Sequence, residues 1–144
     1  MNAPRPTQIS TPQPPILSKF LSPAHVVGNV IHCSGQLPID PNTGRLVAGC
    51  IQARAAQILL NLNTILTAAG SNLDYVIKLS IFLTDMRDWG AANAVLESAF
   101  MDTKPVCTCV AVEGLPGGSD LEVECSALIA RPRGSERDSR TSLL

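Results

Sequence analysis

The chain has 144 residues, a formal net charge of −1, 45% hydrophobic residues and only 3% aromatic ones. This describes one domain with a core of Val, Ile, Leu and Ala, and the near-neutral balance excludes a general nucleic-acid or membrane-surface binder. Its five cysteines lack Cys-x-x-Cys or paired Cys/His spacing, which speaks for reduced thiols in a cytoplasmic protein and against a metal or other cofactor.

Residues 1–16 carry five of the 11 prolines and read as a flexible Pro-rich arm. No apolar run there suggests a signal peptide, and no stretch is long enough to span a membrane. The folded body is expected over residues 17–130. His25 to Gly35 is strand-like, and Gly28-Asn29 splits it into a hairpin. Asp40-Pro41-Asn42-Thr43-Gly44 is a second turn. Ile51, Ala55, Ile58, Leu59, Leu62, Ile65, Leu66 and Ala69 keep helical spacing, which Gly70 stops. Tyr75 to Leu83 alternates and is rich in β-branched residues, so a strand is expected. Asp88 is placed to cap a helix running from Trp89 to about Phe100.

Pro105 to Val112 reads as a buried strand, with Cys107 and Cys109 on one face and Val110 and Val112 on the other. After a Gly/Pro loop, Leu121 to Ile129 is the last strand. Its odd positions are apolar, and Glu122, Glu124 and Ser126 face the other way. Residues 131–144 form a basic flexible tail around Arg131, Arg133, Arg137 and Arg140. The order β-β-α-β-α-β-β makes an α+β layer sandwich with two helices on one mixed sheet. The uncovered face, expected to carry Val, Ile and Cys, calls for a homo-oligomer.

Several local segments together resemble the Rid (YjgF/YER057c/UK114, RutC-like) family of small imine- and enamine-processing proteins. They are Val27-Gly28-Asn29, Ser34-Gly35-Gln36-Leu37-Pro38, Asp40 to Gly44, Ala68-Ala69-Gly70-Ser71, Asn93-Ala94-Val95, and Leu115-Pro116 with Leu121-Glu122-Val123-Glu124. The resemblance implies a chorismate-mutase-like fold, a homotrimer closing its sheets into a barrel, and pockets for a small-molecule substrate at the subunit interfaces. It implies substrate-binding roles for Ser34, Gly35 and Asn93. The family's pocket Cys falls on Cys109, and its water-holding acid falls on Glu122 or, with a shifted register, on Glu124. Its N-terminal Tyr falls on Leu21 or is replaced by Phe20. The usual Pro-Ala-Arg-Ser-Cys-Val run is here Pro105-Val106-Cys107-Thr108-Cys109-Val110, so Cys107 stands where the family has its carboxylate-binding Arg.

A thiol cannot replace the two parallel charge-assisted bonds of a guanidinium, and no Lys or Arg within the strand takes its place. The ligand is therefore expected to be neutral or to hold its carboxylate elsewhere. Glu122 could act as general acid or base, Ser34 and the Gly35 backbone could hold a water or an oxyanion, and Cys107 or Cys109 could be a nucleophile. Against these stand plainer readings: the thiols as small core hydrophobes, the two glutamates as a solvated strand face, and Asn93 as a surface amide. The reaction expected is hydrolysis or tautomerisation of a reactive imine, enamine or enol in a specialised pathway. The alternative is an inactive ligand-binding or scaffold member of the same fold.

Overall fold

The computed structural model describes residues 5–14 and 17–130; the basic tail expected at 131–144 lies outside them. Five strands come first: β1 (Thr7–Ile9), β2 (Ala24–Val27), β3 (Val30–Cys33), β4 (Ile39–Asp40) and β5 (Arg45–Leu46). There follow α1 (Ile51–Ala68), β6 (Val76–Leu83), α2 (Trp89–Phe100), β7 (Val106–Ala111) and β8 (Leu121–Leu128). The main sheet has the order β1-β2-β3-β8-β6-β7, and β4 and β5 form a separate small hairpin. Every pairing in the main sheet is antiparallel except β6 with β7. A parallel neighbour needs a long crossover, and α2 supplies it. The α+β sandwich with two helices on a mixed sheet is thus present.

The helical period of α1 puts Ile58, Leu62, Ile65 and Leu66 into the core, each fully buried. Gly70 ends the helix with φ of +80°, and the Ser71 amide reaches back to the Leu66 carbonyl at 2.8 Å, a left-handed stop that glycine adopts without steric cost. The alternation of β8 buries Leu121, Val123, Cys125 and Ala127 beneath the helices. Register then assigns faces across the sheet. Ile31, Leu79 and Ile81 join the helix side, whereas His25, His32, Ser126 and Lys78 run in a row across the other.

Three local features differ from the sequence reading, and one expected turn is present. Thr7–Ile9, inside the segment read as an arm, pairs with Ala24–Val26 as an edge strand. The β4–β5 hairpin forms at the expected turn, where the Asn42 amide donates to Asp40 Oδ1 at 2.8 Å. Asp88 precedes α2 but makes no side-chain cap; Asp85 instead accepts from the Arg87 amide at 2.9 Å and starts a short 3₁₀ turn that leads into the helix. Finally, β7 is a half-exposed edge strand, with Val106 and Val110 at 66% and 42% exposure. Among the described residues it pairs with β6 alone, which leaves Val106 and Val110 uncovered there.

Candidate functional site

The candidate residues fall into two groups on opposite faces of the sheet. The first surrounds Gly35, just past the end of β3. Ser34 Oγ donates to the Ser22 carbonyl at 2.6 Å, and Gln36 Nε2 donates to the Ser34 and Gly35 carbonyls at 3.2 and 3.3 Å. The Ser34 hydroxyl bond, together with the Ser34 amide donating to the Pro23 carbonyl at 2.9 Å, holds the segment against the loop before β2. Glu122 approaches Gly35 from β8 so closely that a Cβ at position 35 would lie 2.1 Å from Glu122 Oε1. Only glycine leaves that space open.

Burial raises the Glu122 carboxyl above its usual range, and the neighbouring Glu124 charge adds to the shift. Desolvation disfavours the ionised form, and a like charge does the same. Of the two glutamates, Glu122 lies against Gly35, and Glu124 is exposed. Ser34 and Gly35 also line a small cavity of about 50 Å³ with Leu21 and Ser22. Leu21, 38% exposed, reaches this cavity, whereas Phe20 stands 86% exposed and does not line it.

Beneath the segment, a residue that the sequence reading passed over supports it. Asn61 on α1 is buried, donates to the Leu37 and Ile39 carbonyls at 3.2 and 3.0 Å, and accepts from Gln57 Nε2 at 2.9 Å. The signal available was an amide inside the apolar stripe of an amphipathic helix.

The second group lies between α2 and β7. Cys107 and Cys109 stand beside Leu79 and Ile81 in the parallel register, which puts both thiols on the helix side. The sequence pattern puts cysteine on the uncovered face, and the register with buried Leu79 and Ile81 corrects this. Cys109 packs against the core. Cys107 and Asn93 line a cavity of about 380 Å³ with a floor of Leu79, Ile81, Leu96 and Phe100. Burial raises the Cys107 thiol, with Lys78 opposing the shift; burial and then Cys107 raise Cys109. Both thiols are therefore protonated near neutral pH, which weakens them as nucleophiles. Lys104 lines the same cavity. It directly precedes Pro105 and escapes a search confined to the strand.

Glu122 and the two thiols cannot meet within one chain. They project from opposite faces, and β8 is separated from β7 by β6, a lateral distance of about 10 Å. Ser34 and Gly35 line one cavity and Asn93 and Cys107 another, without a shared residue, and Glu122 and Cys109 line neither. Among the described residues there is no cluster of three or more potential metal ligands, and no helix is long and apolar enough to cross a membrane.

This fold, with a Ser-Gly turn against a strand glutamate and a Cys-bearing edge strand, is that of a small α+β protein of the chorismate-mutase-like type. Residues 13–129 match the family described as endoribonuclease L-PSP, and the chain belongs to that family, which includes the YjgF, RutC and Rid proteins. It is 43% identical over 102 residues to the mitochondrial protein mmf1 of Schizosaccharomyces pombe, covering 69% of this chain and 62% of that one. It is 38% identical over 120 residues to the 2-iminobutanoate/2-iminopropanoate deaminase of Mus musculus, covering 83% and 89%. The crystal structure of yeast Mmf1 superposes with a TM-score of 0.84 at 34% identity, covering 88% of this chain and all of that one.

Proposed function

We propose that the chain is a Rid-type enzyme that hydrolyses or tautomerises a small reactive imine, enamine or enol at sites completed between subunits. The observation that carries this reading is the Glu122 carboxyl, raised by burial and fitted against Gly35 beside Ser34. A carboxyl whose ionised form is disfavoured by burial holds a proton more readily than a solvated one and so is better suited to take and return it. For an imine, Glu122 takes a proton from water as the oxygen bonds to the C=N carbon and the π electron pair moves to nitrogen, and Glu122 passes that proton to the nitrogen. The carbinolamine then collapses to a carbonyl and ammonia, and Glu122 returns to its starting state. For an enamine, protonation at carbon comes first. Ser34 and the Gly35 backbone orient the water or the developing oxyanion.

The proposed assembly is a homotrimer whose interface brings the Glu122 group of one subunit to the Asn93–Cys107–Cys109 group of the next. Its support is the separation of the two groups, the free β7 edge, and the exposed Val106 and Val110. Cys107 in place of Arg points to a substrate other than the small 2-imino acids named for the mouse relative. The second reading, a ligand-binding or scaffold protein without turnover, is favoured by that same substitution. Cleavage of RNA, suggested by the family's description, is disfavoured by adjacent Glu122 and Glu124, which would repel phosphates. The reduced cysteines suit the cytoplasm; the S. pombe relative is named as mitochondrial, and either compartment fits the proposed chemistry.

The test is ammonia release from a panel of imines and enamines generated in situ, compared between wild type and Glu122→Gln. Turnover that is lost in the variant supports the enzyme. Ligand binding without turnover supports the scaffold. Turnover unchanged by Glu122→Gln overturns the assignment of the proton-transfer group.

A further inference from the structure

Two buried thiols take no part in the chemistry proposed above. Cys33 closes β3 and Cys125 sits in β8, at 7% and 4% exposure and within one apolar core. The β3–β8 register pairs His32 with Ser126, so the next pair sets Cys33 opposite Cys125. Directly opposed residues of antiparallel strands hold their Cβ atoms about 4.5–5.5 Å apart, close to the separation a disulfide spans. The two side chains meet: the Cys125 thiol keeps its proton through a hydrogen bond to the Cys33 thiol, reinforced by burial. Cys107 and Cys109 differ, because residues two apart on one strand run parallel, ~7 Å from each other. Just past the thiol pair the ladder changes count. Gln36 pairs with Val123, exchanging amide bonds of 2.9 and 3.1 Å. Between these two pairs Ser34 and Gly35 oppose Glu124 alone, the two-against-one count of a β-bulge. The thiol pair thus forms the base of the bulge that sets Gly35 against Glu122.

We propose that Cys33 and Cys125 are an oxidative modification site, closing into a reversible disulfide that acts as a switch on the Ser34–Gly35 bulge. The oxidant is a peroxide, small and uncharged enough to reach a buried pair. Because Cys125 keeps its proton, Cys33 is the thiol that attacks. Its sulfur bonds to one peroxide oxygen, the O–O bond breaks, and the Cys33 proton leaves with the second oxygen as water. The Cys125 sulfur then displaces the hydroxyl of the Cys33 sulfenic acid. An S–S bond forms, the S–O bond breaks, and the hydroxyl leaves with the Cys125 proton as a second water. Two thiols lose two electrons, and one peroxide becomes two waters. Burial makes the first step slower than at the exposed Cys50. A disulfide holds its Cβ atoms at about 3.8 Å, so closure draws β3 toward β8 at the base of the bulge. Ser34 and Gly35 move with Cys33, and the space between Gly35 and Glu122 has no room for such a shift. Strain of this kind makes the bond easy to reduce, as a switch requires.

The test is exposure of the full, reduced chain to hydrogen peroxide, followed by alkylation and peptide mass mapping without reductant. The expected product is a crosslink joining Cys33 to Cys125, with the mass of two hydrogen atoms lost and then restored by dithiothreitol. A pair still reduced once Cys50 is fully oxidised, Cys33 carried to sulfinic acid without a crosslink, or a crosslink through other cysteines overturns the proposal. Amide NMR signals of Gly35, Gln36 and Glu122 should shift in the crosslinked protein. Unchanged signals overturn the switch, whether or not any imine is turned over. A second readout, ammonia release, rests on the imine-processing reading. Turnover should fall at least about tenfold on crosslinking and return with dithiothreitol. Cys33→Ala, a small apolar replacement whose fold circular dichroism checks, should lose the crosslink and keep its turnover in peroxide. A Cys33→Ala protein inhibited as strongly as wild type, or a crosslinked protein with undiminished turnover, overturns the switch and leaves the enzyme standing. A reduced protein without turnover sinks the enzyme, and the mass map and NMR signals still decide the switch.

Discussion

Gly35 and Glu122 share a space that a single methyl group would close, since a Cβ at position 35 would sit 2.1 Å from Glu122 Oε1. The obstacle is the end of a flexible side chain, so Gly35→Ala should displace the carboxylate without unfolding the protein. Turnover is expected to fall as far as in Glu122→Gln, by about 10²–10⁴. The double variant should be no worse than either single one, because both remove one function. Additive losses would show that Gly35 acts independently of Glu122.

The raised Glu122 carboxyl has a consequence for stability. A folded-state pKa above the unfolded value of about 4.3 means that the native state binds the proton more tightly. Stability therefore falls as pH rises from the unfolded value through the folded one. Glu122→Gln should remove this loss. Urea denaturation should show the variant gaining on wild type between pH 4 and pH 7, and a constant difference would contradict the burial argument.

Cys107→Arg should return a two-pronged carboxylate donor to the α2–β7 cavity. On 2-iminobutanoate, kcat/KM is expected to rise at least about tenfold, equivalent to ~1.4 kcal/mol. A wild-type rate equal to that of the variant would remove the case for an altered substrate.

Assembly and activity should fail together when the β7 edge is charged. Val110→Lys places an ammonium on the exposed strand without touching the core, and charged edges resist pairing. Sedimentation should show wild type at three times the chain mass and the variant at a lower one, with helical circular dichroism retained. An active monomer would refute the divided site.

Asn61→Ala should leave the Leu37 and Ile39 carbonyls without their amide donor. The expected cost is about 1–3 kcal/mol, read from the denaturation midpoint. Activity should also fall, because these carbonyls lie on the segment leading away from Ser34 and Gly35.

Much of the architecture was legible because local periodicity and tertiary burial agree. The stripe on α1 and the alternation of β8 are each read from one stretch of chain, and both faces are where the residue pattern puts them. Thr7–Ile9 was not legible, since a three-residue edge strand among prolines depends on the partner offered by Ala24–Val26. The side taken by Cys107 and Cys109 depends on pairing with Leu79 and Ile81, a relation between segments that no single-strand pattern contains. Lys104 was missed for a similar reason: the turn after α2, outside the strand, brings it to the cavity. Ser34, Gly35 and Glu122 were recognisable by motif, but their contact is a property of the fold.

The placement of Glu122 and Cys107 on opposite faces of one sheet has a genetic corollary under the proposed assembly. Neither group can serve its own chain, so chains damaged in different groups can complement each other. An equal mixture of chains disabled in the Glu122 group and chains disabled in the Asn93–Cys107 group, reassembled at random, would contain intact sites at about one in four interfaces, because each site draws its halves from two different subunits. Two alleles that are each inactive alone would then restore part of the function when expressed together.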